Sequence, residues 1–187
     1  KSFFPNSGSE SIDVAVRLCA LRYFAKGAKK KPVFLALDKA FHGKSLLAQS
    51  LSFSGENAIK LDLGLDVVKY SLNGDEVVFD LPSDSAVAGI FVEPFSASTL
   101  TEIPTKVLHR LRKIADKLDC PLVYDEVYSG WFKTGSLFNF FRSDGRVWPD
   151  ILCYGKSLGG GKSSISGISY SGEIFDQFVD TGKSANF

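Results

Sequence analysis

The chain has no methionine, only two histidines and only three cysteines in its 187 residues. The histidines, His42 and His109, form no HExxH pattern and no zinc-finger spacing. That argues against a histidine-based metal hydrolase, and no metal is expected. Cys19, Cys120 and Cys153 are odd in number and far apart, so neither a disulfide scaffold nor a CxxC knuckle is supported. Such usage suits a reducing, cytoplasmic compartment. No apolar run approaches the roughly 18 residues of a membrane span, and the start has no signal-peptide pattern. Nor is there an excess of one charge. The 22 Lys+Arg balance 21 Asp+Glu for a net charge of +1, which gives no broad basic footprint for nucleic acid. The missing methionine, the opening on Lys1-Ser2-Phe3-Phe4 and the stop on Ala185-Asn186-Phe187 lead us to expect a segment of a longer protein.

What is present is ordinary for a globular domain: 44% apolar and 23% charged residues. The pattern alternates between helix and strand. Ile12, Ala15, Val16, Cys19, Ala20 and Tyr23 fall at helical spacing over 11–25. Residues 32–37 form a short apolar run that reads as a buried strand, as do 89–92, 122–124 and 151–154. Residues 104–119 form an amphipathic helix with Val107, Leu108, Leu111, Ile114, Ala115 and Leu118 on one stripe, and Pro104 suits its first turn. Residues 54–80 read as irregular, with polar turns. Strands separated by helices predict an α/β layer fold with a mostly parallel sheet.

Some short motifs carry possible chemistry. Gly-Lys-Ser occurs at 43–45, 155–157, 161–163 and 182–184. A phosphate loop needs a glycine five residues before the Gly of that triplet, where this chain has Asp38, Asp150, Lys156 and Gln177. A nucleotide-binding protein is therefore a weak alternative. Ser7 and Glu10 have capping-box spacing, and Gly8 beside a helix start lets an anion approach free N–H groups. Asp125 and Glu126 close one strand and Lys156 follows another. In parallel α/β sheets, ligands bind outside the carboxyl ends of strands. A Lys beside a Gly-rich turn can be held partly desolvated, which favours its nucleophilic form.

Taken in order, these pieces resemble the class III aminotransferases, pyridoxal-phosphate enzymes of fold type I. Phe4-Pro5-Asn6-Ser7-Gly8-Ser9-Glu10 resembles the family's F-x-N-S-G-S/T-E element. Phe41-His42-Gly43 resembles its aromatic-H-G turn, and Val92-Glu93-Pro94 its V-E-P. Asp125-Glu126-Val127, with Gly130 and Thr134-Gly135, resembles D-E-V-x-x-G-x-x-x-T-G. Pro149-Asp150-Ile151 leads into Gly155-Lys156-Ser157-Leu158-Gly159-Gly160, close to P-D-I-x-x-x-x-K-x-L-G-G.

The resemblance implies a three-layer α/β/α fold with a mostly parallel sheet, the chain forming the central part of the large cofactor-binding domain. It implies pyridoxal 5'-phosphate as cofactor, a small-molecule amino donor, a carbonyl acceptor and a homodimer with its site at the subunit interface. Lys156 would carry the cofactor as a Schiff base and act as the base. Asp125 would pair with the pyridinium N–H. Val127 and Phe41 would flank the ring, while Gly8 and Ser9 would hold the phosphate. His42 and Glu93 would support these groups. The same Lys and Asp would also suit an aminomutase or a racemase of the family.

Three departures stand out. Tyr128 replaces a Gln that bonds the cofactor's phenolic oxygen in many members; its hydroxyl could serve instead. Ser96 and Ser98 stand where many members have x-Q-x-E. The cross-subunit Thr stretch has no safe counterpart, with Ser184 or Asn186 the nearest candidates.

Overall fold

The computed structural model of the chain describes residues 1–54, 62–82, 85–142, 146–174 and 176. The elements run β1 (Ser2–Phe3), α1 (Gly8–Ala25), β2 (Val33–Leu37), α2 (Leu46–Ser50), β3 (Asp66–Asn73), β4 (Glu76–Val78), β5 (Val87–Val92), α3 (Thr105–Leu118), β6 (Leu122–Glu126), β7 (Ile151–Tyr154) and β8 (Gly167–Tyr170). The strands form one sheet of order β1-β8-β7-β6-β5-β2-β3-β4. Its five inner strands, β7 to β3, are parallel. β1, β8 and β4 pair antiparallel at the margins.

β2, β5, β6 and β7 are buried along their whole length. Both faces of a parallel sheet are covered, so such strands read as continuous apolar runs. Alternate residues feed two cores. Phe34, Ala36, Phe91, Val123 and Cys153 pack with Ile12, Ala15, Val16 and Cys19 of α1 and Ala48 of α2. Leu35, Ile90, Val92, Leu122 and Tyr124 pack with Val107, Leu108, Leu111 and Ala115 of α3 and with Phe140. The result is the expected three-layer fold. Burying each of these Val, Leu or Ile side chains contributes about 1.5–3 kcal/mol.

α1 starts as its sequence predicts. The Glu10 N–H donates to Ser7 Oγ at 3.3 Å, and the Asn6 N–H donates to Glu10 Oε2 at 2.9 Å. Pro104 is the N-cap of α3 rather than part of its first turn. Asp150, from the Pro-Asp-Ile element, accepts from Arg112 of α3 at 2.6 Å and from the Leu122 N–H at 2.7 Å. It thereby ties α3 to the start of β6.

The reading of 54–80 as irregular is corrected. Residues 55–61 lie outside the described residues, but β3 and β4 form a hairpin around Gly74-Asp75. Only Tyr70 of β3 is buried. A strand wetted along most of its length carries Asp66, Lys69, Ser71 and Asn73, and so lacks the apolar run that marks its neighbours. Ser184, Asn186 and the last Gly-Lys-Ser lie outside the described residues. Among the described residues, no helix is long and apolar enough to cross a membrane.

Candidate active site

The carboxyl ends of β2, β5, β6 and β7 and the start of α1 enclose one cleft of about 250 Å³. α1 contributes Gly8 and Ser9. The turn after β2 contributes Phe41, His42, Gly43 and Lys44, and the turn after β5 contributes Glu93 and Ala97. β6 and its continuation bring Asp125, Val127 and Tyr128, and β7 is followed by Lys156. All nine residues singled out from the sequence (Gly8, Ser9, Phe41, His42, Glu93, Asp125, Val127, Tyr128 and Lys156) line this cleft.

Asp125 is the centre of a buried polar network. It is 5% exposed. Oδ2 lies 2.8 Å from His42 Nδ1, and Oδ1 accepts the Val127 N–H at 3.0 Å. His42 is held in turn by its backbone, whose N–H donates to Ser52 Oγ at 2.8 Å. Burial opposes the His42 cation more strongly than any other single influence. The hydrogen bond to Asp125 and the charges of Asp125 and Glu93 together outweigh it, and the His42 pKa is raised. His42 Nε2 is buried without a hydrogen-bond partner among the described residues.

Glu93, 3% exposed, accepts from the Phe41 N–H and the Ala97 N–H, each at 3.0 Å. It fixes the turn that carries Phe41. Burial pushes its carboxyl pKa up, against the nearby His42 charge and these N–H groups.

The cup at the start of α1 requires glycine twice. A Cβ on Gly8 would stand 2.5 Å from Val127 Cγ1. Gly43 adopts φ +136, and a Cβ there would collide with Ser9 Oγ. That hydroxyl accepts the Lys44 N–H at 3.1 Å, so the two turns are laced together.

Lys156 opens a short 3₁₀ turn with φ +42, a left-handed conformation that is costly for a residue with a side chain. The expected partial desolvation is not found: Lys156 is exposed. It sits on the wall of an open cleft, where the Gly-rich turn after it is also solvated. Its Nζ lies 4.9 Å from the centre of the Tyr128 ring.

Sequence reasoning missed Lys44, Ala97 and the support from Ser52. Lys44 directly follows the Phe41-His42-Gly43 turn, which was the available signal. Ser52 lies ten residues from His42 with no motif between them, and only the fold joins them.

The class III aminotransferase family profile matches residues 1–187. An omega-aminotransferase of Caulobacter vibrioides is 30% identical, the match covering 95% of this chain and 45% of the relative. An acetylornithine aminotransferase of Methanopyrus kandleri is 34% identical, over 86% of this chain and 40% of the relative. A transaminase structure from the marine bacterium Virgibacillus superposes with TM-score 0.83 at 22% identity, over 100% of this chain and 44% of its own. The PLP-bound amine transaminase of an uncultivated Pseudomonas species gives 0.79 at 20% identity, over 95% and 45%. The chain belongs to the class III aminotransferases. It spans less than half the length of these curated relatives.

Pyridoxal 5'-phosphate is the cofactor of this family, and the residues present fit it. A helix N-terminus with a hydroxyl and a glycine kept clear by close packing suits a phosphate. A buried carboxylate with both oxygens fixed suits a protonated ring nitrogen. Phe41 and Val127 give apolar walls, and Lys156 supplies an amine.

Proposed function

We propose that this chain is the central part of the large domain of a pyridoxal-phosphate-dependent aminotransferase. The enzyme would move an amino group from an amine or amino acid donor to a keto acid or aldehyde acceptor. The observation that carries this reading is the meeting of the fixed carboxylate Asp125, the amine of Lys156 and the α1 cup in one cleft.

When bound, the cofactor supplies an aldehyde that joins amines and a ring that takes up an electron pair from the substrate α-carbon. The residues do the rest. Gly8 and Ser9 donate to the phosphate at the positive end of α1. The Asp125 carboxylate accepts the ring N–H, which keeps the ring protonated. His42 and the Val127 N–H hold Asp125 to that task. Phe41 and Val127 confine the ring between them. Lys156 Nζ would be the attachment point and, when free, the base that carries the proton from the substrate α-carbon to the aldehyde-derived carbon of the cofactor. The site is completed by a second subunit, and the working unit is a homodimer.

The test uses the full-length protein loaded with pyridoxal phosphate, reduced with borohydride and mapped by mass spectrometry. The pyridoxyl label is expected on Lys156, with ping-pong kinetics of amino transfer. Lys156→Ala is expected to lose both the label at that position and about 10³-fold or more of the transfer rate. Unimpaired transfer in Lys156→Ala would overturn the reading.

A further inference from the structure

Tyr128 stands where many family members carry Gln, and its surroundings give the ring a task of its own. The ring is stacked on Phe95, with centroids 6.1 Å apart and planes 21° from parallel. Phe95 is itself fixed by a bridge to Glu102, so the pair forms a stiff aromatic platform. Two ammonium groups lie on it. Lys156 Nζ is 4.9 Å and Lys133 Nζ 5.2 Å from the ring centre. Lys133 is delivered by a tight loop in which the Trp131 N–H bonds to the Leu137 carbonyl and the Phe132 N–H to the Ser136 carbonyl. Neither lysine has a carboxylate partner among the described residues. Lys26, Lys31, Lys69 and Lys106 all pair with aspartates elsewhere. At Lys156 the partner is a π-face, which attracts a cation and has little hold on a neutral amine.

We propose that Tyr128 is a positioning residue for Lys156: its ring holds the detached, protonated form of the lysine beside the cleft. The inference rests on the attachment of the cofactor at Lys156. When a protonated amine displaces the lysine, the cofactor carbon exchanges its bond to Nζ for a bond to the incoming nitrogen. The proton brought by the amine stays on Nζ. The Tyr128 ring stabilises that product, so it favours displacement, and a substrate amine releases Lys156 more readily.

The experiment uses methylamine as the probe on the loaded full-length protein. The readout is the share of pyridoxyl label left on Lys156 after borohydride, as methylamine is raised at fixed pH. Tyr128→Phe keeps the ring and Tyr128→Leu removes it, and neither has the hydroxyl, so their ratio isolates the π-face. The Leu variant is expected to need about 2- to 5-fold more methylamine than the Phe variant for half displacement, the range that follows from an exposed cation–π contact. A merely structural role would move the midpoint the other way, because a loosened cleft gives up the cofactor more easily. A Leu midpoint equal to or below the Phe midpoint would overturn the inference. If the Leu variant does not fold, Phe95→Ala removes the support behind the ring; its midpoint is expected to exceed the wild-type value, and an equal or lower midpoint would count against the proposal. Absence of label on wild-type Lys156 would instead overturn the aminotransferase reading itself.

Discussion

The carboxyl end of β6 divides the molecule into two regions that differ sharply in what a buried acid does. Asp125 and Glu126 are adjacent, and both are buried, at 5% and 0% exposure. Strand alternation sends them to opposite faces. On the α1 face, Asp125 meets the imidazole of His42 and lines the cleft. On the α3 face, Glu126 meets donors of the following segment. Its Oε2 accepts the Ser129 hydroxyl at 3.0 Å and the Asn139 N–H at 2.5 Å, and its Oε1 accepts the Phe140 N–H at 3.0 Å. Burial pushes the Glu126 carboxyl up, with these three donors pulling it down. The cleft side thus holds its acid with a group that can change charge. The other side holds its acid with groups that cannot, and uses it to anchor a loop. A carboxylate in the first setting is available for chemistry, whereas one in the second is an architectural acceptor.

The largest effect expected from breaking this contrast is at Glu126. Glu126→Ala strands the buried N–H groups of Asn139 and Phe140 and frees the segment that packs Phe138, Phe140 and Phe141 against the α3 face. Each buried donor left unpaired costs about 1–3 kcal/mol, so a total loss of about 3–5 kcal/mol is expected in urea denaturation. That is a large part of the stability of a typical domain. A loss below about 1 kcal/mol would mean that Glu126 is not the anchor.

Asp125→Asn probes the other face. The amide is nearly the same size and the His42 contact survives as a neutral bond, so stability near neutral pH should change by less than about 1 kcal/mol. Transfer activity should fall by about 10²-fold, as expected when a fixed charge is removed from a reacting site. The pH dependence gives a second measurement. The raised His42 pKa means that this pair adds stability fully present below about pH 6.5, the ordinary value. That stability is lost as pH rises through the folded-state value. The margin of wild type over Asp125→Asn should therefore be widest near pH 6 and narrow towards alkaline pH. A margin that grows with pH would contradict the pairing.

This contrast marks how far the sequence can be read. The apolar runs of β2, β5, β6 and β7 announce themselves because both faces of each strand are buried. The cleft residues are legible because each sits in a short motif at a strand end or helix start, where the fold class already places ligands. The division of labour within Asp125-Glu126 is not legible from the pair alone. It depends on the register that sets Asp125 opposite Cys153 and Glu126 opposite Tyr154, and on a loop returning Asn139 and Phe140 to the strand end. β1 and β8 are hidden for a similar reason. They are two and four residues long, and they become strands only by pairing with each other and with β7, Ser2 lying opposite Ser169. Ser52 on His42 is likewise a product of tertiary folding.

The smallest expected effect sharpens the comparison most. Ser129→Ala removes one of the three donors to Glu126 and leaves both backbone N–H groups in place. The Glu126 oxygen that loses the hydroxyl still accepts from Asn139, so neither carboxylate oxygen is orphaned. The cost should be that of one side-chain hydrogen bond to a charged group, about 1.5–3 kcal/mol in urea denaturation. Borohydride labelling of Lys156 should be unchanged, because Ser129 belongs to the α3 face and does not line the cleft. If labelling fell in step with stability, the two faces of β6 would be one cooperative unit and the distinction between the two acids would collapse. If stability alone fell, the loop anchor and the cleft would be separable, as their opposite placement on one strand requires.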